Sequence, residues 1–281
     1  MKLYSIETGH FKLDGGAMFG VVPKTIWDKL NPSDENNLCS WAMRSLLIED
    51  GNRLILIDNG MGDKQDAKFM SHYFLHGDFT LDSSLRKNGF SKDDITDVIL
   101  THLHFDHCGG SIVRKGDYLV PNFKNARYWS NEKHWEWATN PNDREKASFL
   151  KENILPIQES GQLNFIPLQE GARFSDRISI RFVHGHTEAM MLPQIHLPEN
   201  QTVVFMADLL PSRYHIPMPY IMAYDMFPLT TLHEKKTFLD EAIQHNYVLF
   251  FQHDPEVECG TVKLTEKGVR LADQFALHDF C

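Results

Sequence analysis

Residues 101–110 read Thr-His-Leu-His-Phe-Asp-His-Cys-Gly-Gly and place four metal-ligating side chains within six positions. His102 and His104 stand at i and i+2, so in an extended or turning segment their imidazoles share a face and can converge on one ion. Asp106 and His107 follow at once. Where the chain bends into a helix, with Gly109 and Gly110 allowing a tight turn, that pair can point at a second ion a few Å away. Zinc takes three or four N/O ligands at about 2.0–2.2 Å, and its imidazole ligands are neutral. Packing gains nothing from such a cluster, because adjacent titratable groups are costly to desolvate unless an ion compensates them. The cluster holds too few ligands for two ions, so others must come from further along. The candidates are His186 in Val-His-Gly-His-Thr, Asp208 in Phe-Met-Ala-Asp, and His253 in Phe-Phe-Gln-His-Asp.

These residues need elements to carry them. Leu46 to Glu49 and Arg53 to Ile57 are apolar runs flanking Asp50-Gly51-Asn52, a hairpin signal. Further strand patterns cover Asp97 to Leu100, Ile178 to Val183, Gln201 to Met206 and Tyr247 to Phe251, and Ser91-x-x-Asp94 reads as a helix cap. Four runs deliver Asp58, His102, Asp208 and His253 at or just beyond their C-terminal ends, where ligand sites of sheet-based folds collect. Helical periodicity predicts helices over Pro23 to Leu30, after Ser130, from Asp143 to Leu155, and from Leu232 to Asn246 with a cap at Thr230 or Thr231. The strands and helices interleave in two halves around a break near residues 120–165.

The chain has 281 residues, 28 Lys+Arg and 38 Asp+Glu, for a formal charge of −10. That balance repels phosphate backbones and anionic lipid, which argues against nucleic acid or a membrane as the main partner. The 19 Phe, 8 Tyr and 5 Trp exclude disorder, and no apolar run has the length to span a bilayer. The amino terminus lacks a signal-peptide pattern. Four cysteines (Cys39, Cys108, Cys259, Cys281) fall at no paired spacing, so neither a disulfide framework nor a CxxC zinc site is indicated. These features lead to the expectation of a cytoplasmic protein.

The HxHxDH run of His102, His104, Asp106 and His107, with Gly-His at 186, Asp208 and His253 downstream, resembles the signature of the metallo-β-lactamase superfamily. The resemblance spans essentially the whole chain. It implies an α/β fold, the αββα sandwich of two mixed β-sheets flanked by helices, as a single domain over 1–281 with a helical insertion near 123–160. It also implies a dinuclear centre of two Zn2+ ions, with Mn, Fe or Co as possible substitutes. His102, His104 and His186 would hold the first metal, Asp106, His107 and His253 the second, and Asp208 would bridge. Asp58 would organise the turn under the motif, and His184 would either support a ligand from behind or be structural. Such a centre brings water's pKa to around 7, so hydroxide is available at neutral pH. Asp106 is placed to act catalytically by passing a proton to the leaving group.

Within the superfamily, the stretch from Asp14 to Lys24, together with Ala223-Tyr224-Asp225, resembles the N-acyl homoserine lactonases and the related organophosphate-hydrolysing branch. The implied activity is opening of the lactone ring of N-acyl homoserine lactones, that is, quorum quenching. The alternatives are an aryl ester or organophosphate hydrolase and, from another class, a non-catalytic metal-binding sensor. The implied partner is a small-molecule lactone or ester, with a homodimer by analogy. Many of these lactonases carry a Tyr three residues after the bridging Asp; here Pro211 stands there, and Tyr214, Tyr220 or Tyr224 are the candidates to replace it. Met18 and Phe19, with Met222, Met226 and Phe227, could line an apolar pocket. The stretch His134-Trp135-Glu136-Trp137 is a candidate pocket wall or lid. Asp143 to Glu152 reads as a solvated helix face, and Cys108 as a packing residue.

Overall fold

The structure, a computed structural model, describes residues 1–280. Its first strands are β1 (Lys2–Asp14), β2 (Leu38–Asp50), β3 (Arg53–Ile57), β4 (Asp97–Ile99), β5 (Ile112–Lys115), β6 (Tyr118–Pro121), β7 (Arg127–Ser130) and β8 (Leu163–Phe165). Then come β9 (Arg173–Ser175), β10 (Ile178–Val183), β11 (Met190–His196), β12 (Thr202–Phe205), β13 (Val248–Phe250), β14 (Cys259–Thr265) and β15 (Gly268–Phe275). The helices are α1 (Gly15–Phe19), α2 (Lys24–Trp27), α3 (Ala67–Ser71), α4 (Leu81–Lys87), α5 (Phe105–Cys108), α6 (Glu132–Thr139), α7 (Lys151–Glu159) and α8 (Pro228–His245).

One sheet runs β1-β2-β3-β4-β7-β8 and the other β15-β14-β13-β12-β11-β10-β9, while β5 and β6 form a separate ribbon. Both large sheets are mixed: β3, β4, β7 and β8 are parallel in the first, β12 and β13 in the second. Alternation along the strands shows why two layers form. Leu46, Ile48, Ile55 and Ile57 join the core shared with the second sheet, whereas Leu47, Leu54 and Leu56 face the helical side with Leu85, Trp135, Ile154 and Ile157. Each such Leu or Ile, once fully buried, contributes about 1.5–3 kcal/mol. Phe238, Leu239 and Ala242 of α8 pack on the second sheet. Helices, two sheets and helices give the expected sandwich. The β2–β3 hairpin closes at Gly51, whose φ of +63° supplies the left-handed turn.

Several element expectations need correction. Lys24–Trp27 is one helical turn; Asp28 then takes the Ser33 N–H and hydroxyl, and Pro32 disfavours helix at Asn31. The continuous helix expected from Asp143 to Leu155 does not form. Residues 143–148 are turns, Phe149 is buried against the rings of His104 and His134, Leu150 is extended, and α7 begins at Lys151. Helix α8 starts at Pro228 with Phe227 as N-cap, so neither Thr230 nor Thr231 caps it; proline's fixed φ is already helical and it has no N–H to leave orphaned. Ser91 and Asp94 form their capping box, on a single 3₁₀ turn. The long β1 and the β14–β15 hairpin had no strong apolar pattern to announce them. Cys39 and Cys108 are buried thiols, and Cys281 lies outside the described residues.

Candidate metal centre

The parallel strands of both sheets end at one seam. His102, His186, Asp208 and His253 each lie three residues past the end of a strand, β4, β10, β12 and β13 respectively. The HxHxDH run leaves β4 and turns into α5, which brings Asp106 and His107 to the same place. Ligand atoms of His102, His104, His186 and Asp208 lie within 4.8 Å of one another, as do those of Asp106, His107 and His253. Asp208 joins the groups, with Oδ2 3.1 Å from His186 Nε2 and 3.5 Å from His107 Nε2, and Oδ1 3.2 Å from His253 Nε2. All seven are buried.

On each imidazole one nitrogen is committed to a protein partner. His104 Nε2 meets Glu145 Oε1 at 3.0 Å, His186 Nδ1 meets Asp225 Oδ1 at 2.8 Å, and His107 Nδ1 meets Asp58 Oδ2 at 3.0 Å. His253 Nδ1 donates to the Ala42 carbonyl at 2.7 Å, and His102 Nδ1 to Thr101 Oγ1 at 3.1 Å. These acceptors fix the tautomers, so the inward nitrogens carry lone pairs. Those nitrogens lie only 3.1 Å apart for His102–His104, and 3.2 Å for both His104–His186 and His107–His253. Lone pairs at that distance repel unless a cation sits among them, and the donor set therefore fits two divalent ions. In the metal-free chain protons do part of this work. Burial would push His186 down, yet Asp208 and Asp225 lift it to about 10. Burial and the neighbouring imidazoles hold His102 well below the usual range. Burial would raise Asp208, but His107, His186 and His253 hold it well below an ordinary carboxylate.

A rigid frame stands behind these ligands. Asp58, fully buried with φ of +55°, accepts from Thr101 N (2.8 Å), Thr101 Oγ1 (2.7 Å), His107 Nδ1 and Gln252 Nε2 (3.0 Å). It thus sits under the motif as the resemblance implied. Ala207, just before Asp208, also has a positive φ, 41°, a strained backbone of the kind that collects at functional sites. Arg44 of β2 donates to the carbonyls of Phe251 (2.9 Å) and Asp254 (3.1 Å), pinning the loop that carries His253 to the first sheet. Asp254 caps that turn through Arg213, Glu256 and Val257. Glu234 of α8 takes the N–H groups of His184 and Gly185, and the His184 side chain turns away to Glu188, outside both ligand groups.

Beside the centre lies a cavity of about 310 Å³. Met18, Met222, Met226, Leu13, Phe105 and Tyr224 line it, so Met18 and Tyr224 stand where the sequence suggested. Phe19, Tyr214 and Tyr220 do not reach it. Phe19 is buried in a stack with Trp27 and His215, and Tyr214 and Tyr220 pack around it, the Tyr214 hydroxyl accepting from Arg213. Phe227 is outside the lining, half-exposed near Trp137. Pro211 contributes only its carbonyl, which accepts from the His253 N–H. The His134–Trp137 stretch is no lid: His134 accepts the Leu103 N–H, Trp135 is core, and Trp137 donates to Glu145.

Sequence reasoning missed Glu145, placed on a solvated face yet 2% exposed and bonded to His104. Burial would raise its carboxyl, but His104, through its hydrogen bond and its charge, and the Trp137 N–H hold it at about 2. It also missed Asp225 as the partner of His186, and Tyr73 and Arg144 in the cavity wall.

A two-sheet sandwich whose strand ends gather five histidines and two aspartates at one seam defines a metal-dependent hydrolase architecture. The model of the metallo-beta-lactamase superfamily matches residues 44–253, and the chain belongs to that superfamily. The N-acyl homoserine lactonase AiiA of Bacillus thuringiensis subsp. kurstaki is 23% identical over 269 residues, covering 92% of this chain and 94% of that protein. A probable metal-dependent hydrolase from Staphylococcus aureus superposes with a TM-score of 0.87 at 26% identity, covering 98% of this chain and 96% of the other. AidC, a dizinc quorum-quenching lactonase solved with its product, gives a TM-score of 0.78 at 23% identity over 98% of this chain and 95% of its own. Among the described residues no helix is long and apolar enough to cross a membrane.

Proposed function

We propose that the chain is a dinuclear-zinc hydrolase that opens the lactone ring of N-acyl homoserine lactones. The observation that carries this reading is the position of Asp208, which joins two groups of inward-facing donors at the floor of an apolar-walled cavity. His102, His104 and His186 would hold one ion, Asp106, His107 and His253 the other, and Asp208 would touch both. Two bound ions would polarise the ester carbonyl and supply hydroxide at neutral pH.

The protein's own contribution is orientation. Asp58, Glu145, Asp225 and the Ala42 carbonyl each hold one ring nitrogen of an imidazole and aim the other inward, and the carboxylates among them raise its basicity. Leu13, Met18, Met222 and Met226 exclude water around an acyl chain, their flexible side chains suiting variable lengths. Asp106 faces the cavity from its metal-side position, where its carboxylate can take the proton released by the attacking water and pass that same proton to the departing alkoxide. Relatives that align over 92% of the chain at 23% identity and are N-acyl homoserine lactonases support the substrate class.

The test is acid release from a long-chain N-acyl homoserine lactone by zinc-loaded protein, followed with a pH indicator beside a chelator-treated control. Fast, chelator-sensitive release is expected. No release above the control would discard the lactone substrate, and turnover of aryl esters or phosphotriesters alone would move the reading to the other branch.

A further inference from the structure

Between the 3₁₀ turn Arg213–His215 and α8, residues 216–227 form neither strand nor helix. This segment supplies Met222, Ala223, Tyr224 and Met226 to the cavity wall, and Asp225 to His186. A wall without ladder hydrogen bonds keeps its shape only where its backbone groups find other partners. The second half finds them through its N–H groups. Ala223 donates to the Ala17 carbonyl at 2.8 Å, Met226 to that of His186 at 3.0 Å and Phe227 to that of Gly185 at 2.8 Å. The first half has fewer donors to offer, because Pro217 and Pro219 carry no N–H.

A side chain from α8 holds that first half. Lys235 is 0% exposed, and its Nζ donates to the carbonyls of Pro217 (2.7 Å), Tyr220 (2.9 Å) and Met218 (3.4 Å). An ammonium has three N–H donors and no acceptor, so three converging carbonyls satisfy it. Lysine is almost never buried whole unless it is paired, since its charge is costly to desolvate. Among the described residues no carboxylate pairs with this one, and Asp225 acts on it from further off. An apolar side chain would fill the same place on α8 at less cost, so packing does not account for Lys235. Its acceptors do, and all three belong to the stretch that leads into Met222. One turn earlier on α8, Thr231 abuts Gly185, the residue before His186. The helix thus grips the cavity wall and a ligand turn together.

We infer that Lys235 is a positioning residue for substrate selection: by clasping residues 217–220 it fixes where Met222, Tyr224 and Met226 stand, and so which apolar chain lengths the cavity accepts. The inference deepens the hydrolase reading above and needs an ester with an apolar chain, not the lactone in particular. Lys235 itself stands outside the cavity lining and outside both groups of metal ligands.

Two substitutions grade the clasp. Lys235→Met keeps the stem and removes every donor, whereas Lys235→Gln keeps two N–H groups. Hydrogen–deuterium exchange of the zinc-loaded proteins reads the loop without any substrate. In Lys235→Met the amides of 218–226 should exchange about tenfold faster or more, through loss of charge-assisted hydrogen bonds, while β12 and β13 stay near wild type and Lys235→Gln falls between. The second readout is kcat/KM over acyl chains from butanoyl to dodecanoyl, on N-acyl homoserine lactones and on nitrophenyl alkanoates. The ratio of long-chain to short-chain kcat/KM should move by about fourfold for each methylene the pocket gains or loses, chiefly through KM. A general loss of active protein lowers every chain length alike and leaves that ratio where it was. Lys235→Gln carries the same comparison if the methionine variant does not fold. Unchanged exchange at 218–226, or an unchanged ratio, would overturn the assignment. Turnover of the nitrophenyl series alone would discard the lactone and leave the ratio to decide on Lys235; turnover of neither series by the wild type would sink the hydrolase reading and the inference with it.

Discussion

Asp58 is the most demanding test of how the metal centre is held. Its carboxylate receives four hydrogen bonds at 2.7–3.0 Å and is wholly buried, so no water can replace a lost partner. In Asp58→Asn the side chain keeps its volume, but one oxygen becomes an amine. If the amide oxygen takes the Oδ2 position and keeps Thr101 Oγ1, His107 and Gln252, the new amine faces the Thr101 N–H, and donors on both sides go unpaired. The reverse orientation orphans three donors instead of one. At about 1–3 kcal/mol for each buried unsatisfied group, the better orientation costs about 3 kcal/mol of folding stability in the metal-free protein. His107 also loses the negative charge behind its Nδ1–H, which for such a supporting partner lowers metal affinity by about 10–100-fold. Urea unfolding of the chelated protein reads the first quantity, and zinc competition against a fluorescent chelator reads the second. A variant within about 0.5 kcal/mol of wild type, with unaltered zinc affinity, would refute the claim that this carboxylate holds the motif in register.

Two further outcomes follow from local geometry. A Cβ on Gly185 would lie 2.2 Å from Thr231 Oγ1 and 2.3 Å from its nitrogen, so Gly185→Ala must displace the turn from α8. We expect a loss of about 3 kcal/mol in denaturant unfolding and impaired zinc binding at His186 by metal analysis; wild-type stability and zinc content would refute this. Asp97 sets a pH dependence. Burial alone would raise its carboxyl, but Arg53, Thr96 and Trp129 hold it below the ordinary value. A depressed folded pKa means the unfolded chain binds the proton more tightly. The stabilisation is therefore present above the unfolded value of about 3.9 and disappears as pH falls through the lower folded one. In metal-free protein the stability gap between wild type and Asp97→Asn should shrink below about pH 4, and a gap independent of pH would contradict it.

The parts of the site legible in the sequence are those governed by short-range order. His102, Asp208 and His253 each follow a compact apolar run, and a buried strand announces itself within five residues, so the strand-end position of its polar follower can be read directly. The spacing His-x-His-x-Asp-His likewise describes a local bend. What could not be read depends on where a loop folds back. Residues 143–148 carry good helix formers, yet burial of Phe149 against His104 and of Glu145 on the same ring outweighs that propensity and breaks the helix. Met18 and Phe19 are chemically similar neighbours, and only the stack of Phe19 between Trp27 and His215 decides which faces the cavity. Tyr73 and Asp225 are ordinary polar residues in irregular segments until the Phe69 and Phe105 rings that meet the one, and the His186 that meets the other, are known.

The distribution of ligands over the fold has an energetic consequence. His102, His104, Asp106 and His107 leave the first sheet, whereas His186, Asp208 and His253 leave the second, so ions bound at the seam would cross-link the two layers. Arg44 already bridges the same layers behind His253, and the Ala42–His253 pair adds backbone contacts. The converging lone pairs are therefore held together by packing, and the repulsion among them is relieved when a cation enters. That arrangement separates two tasks. The chemistry depends on a stiff frame built from strand ends and buried carboxylates, while the cavity walls come from α1, the segment after β3, the turns at 143–148 and the loop before α8. Walls made of loops can change composition without disturbing the frame, which accounts for a chain that superposes over nearly its whole length on proteins with which it shares about a quarter of its residues.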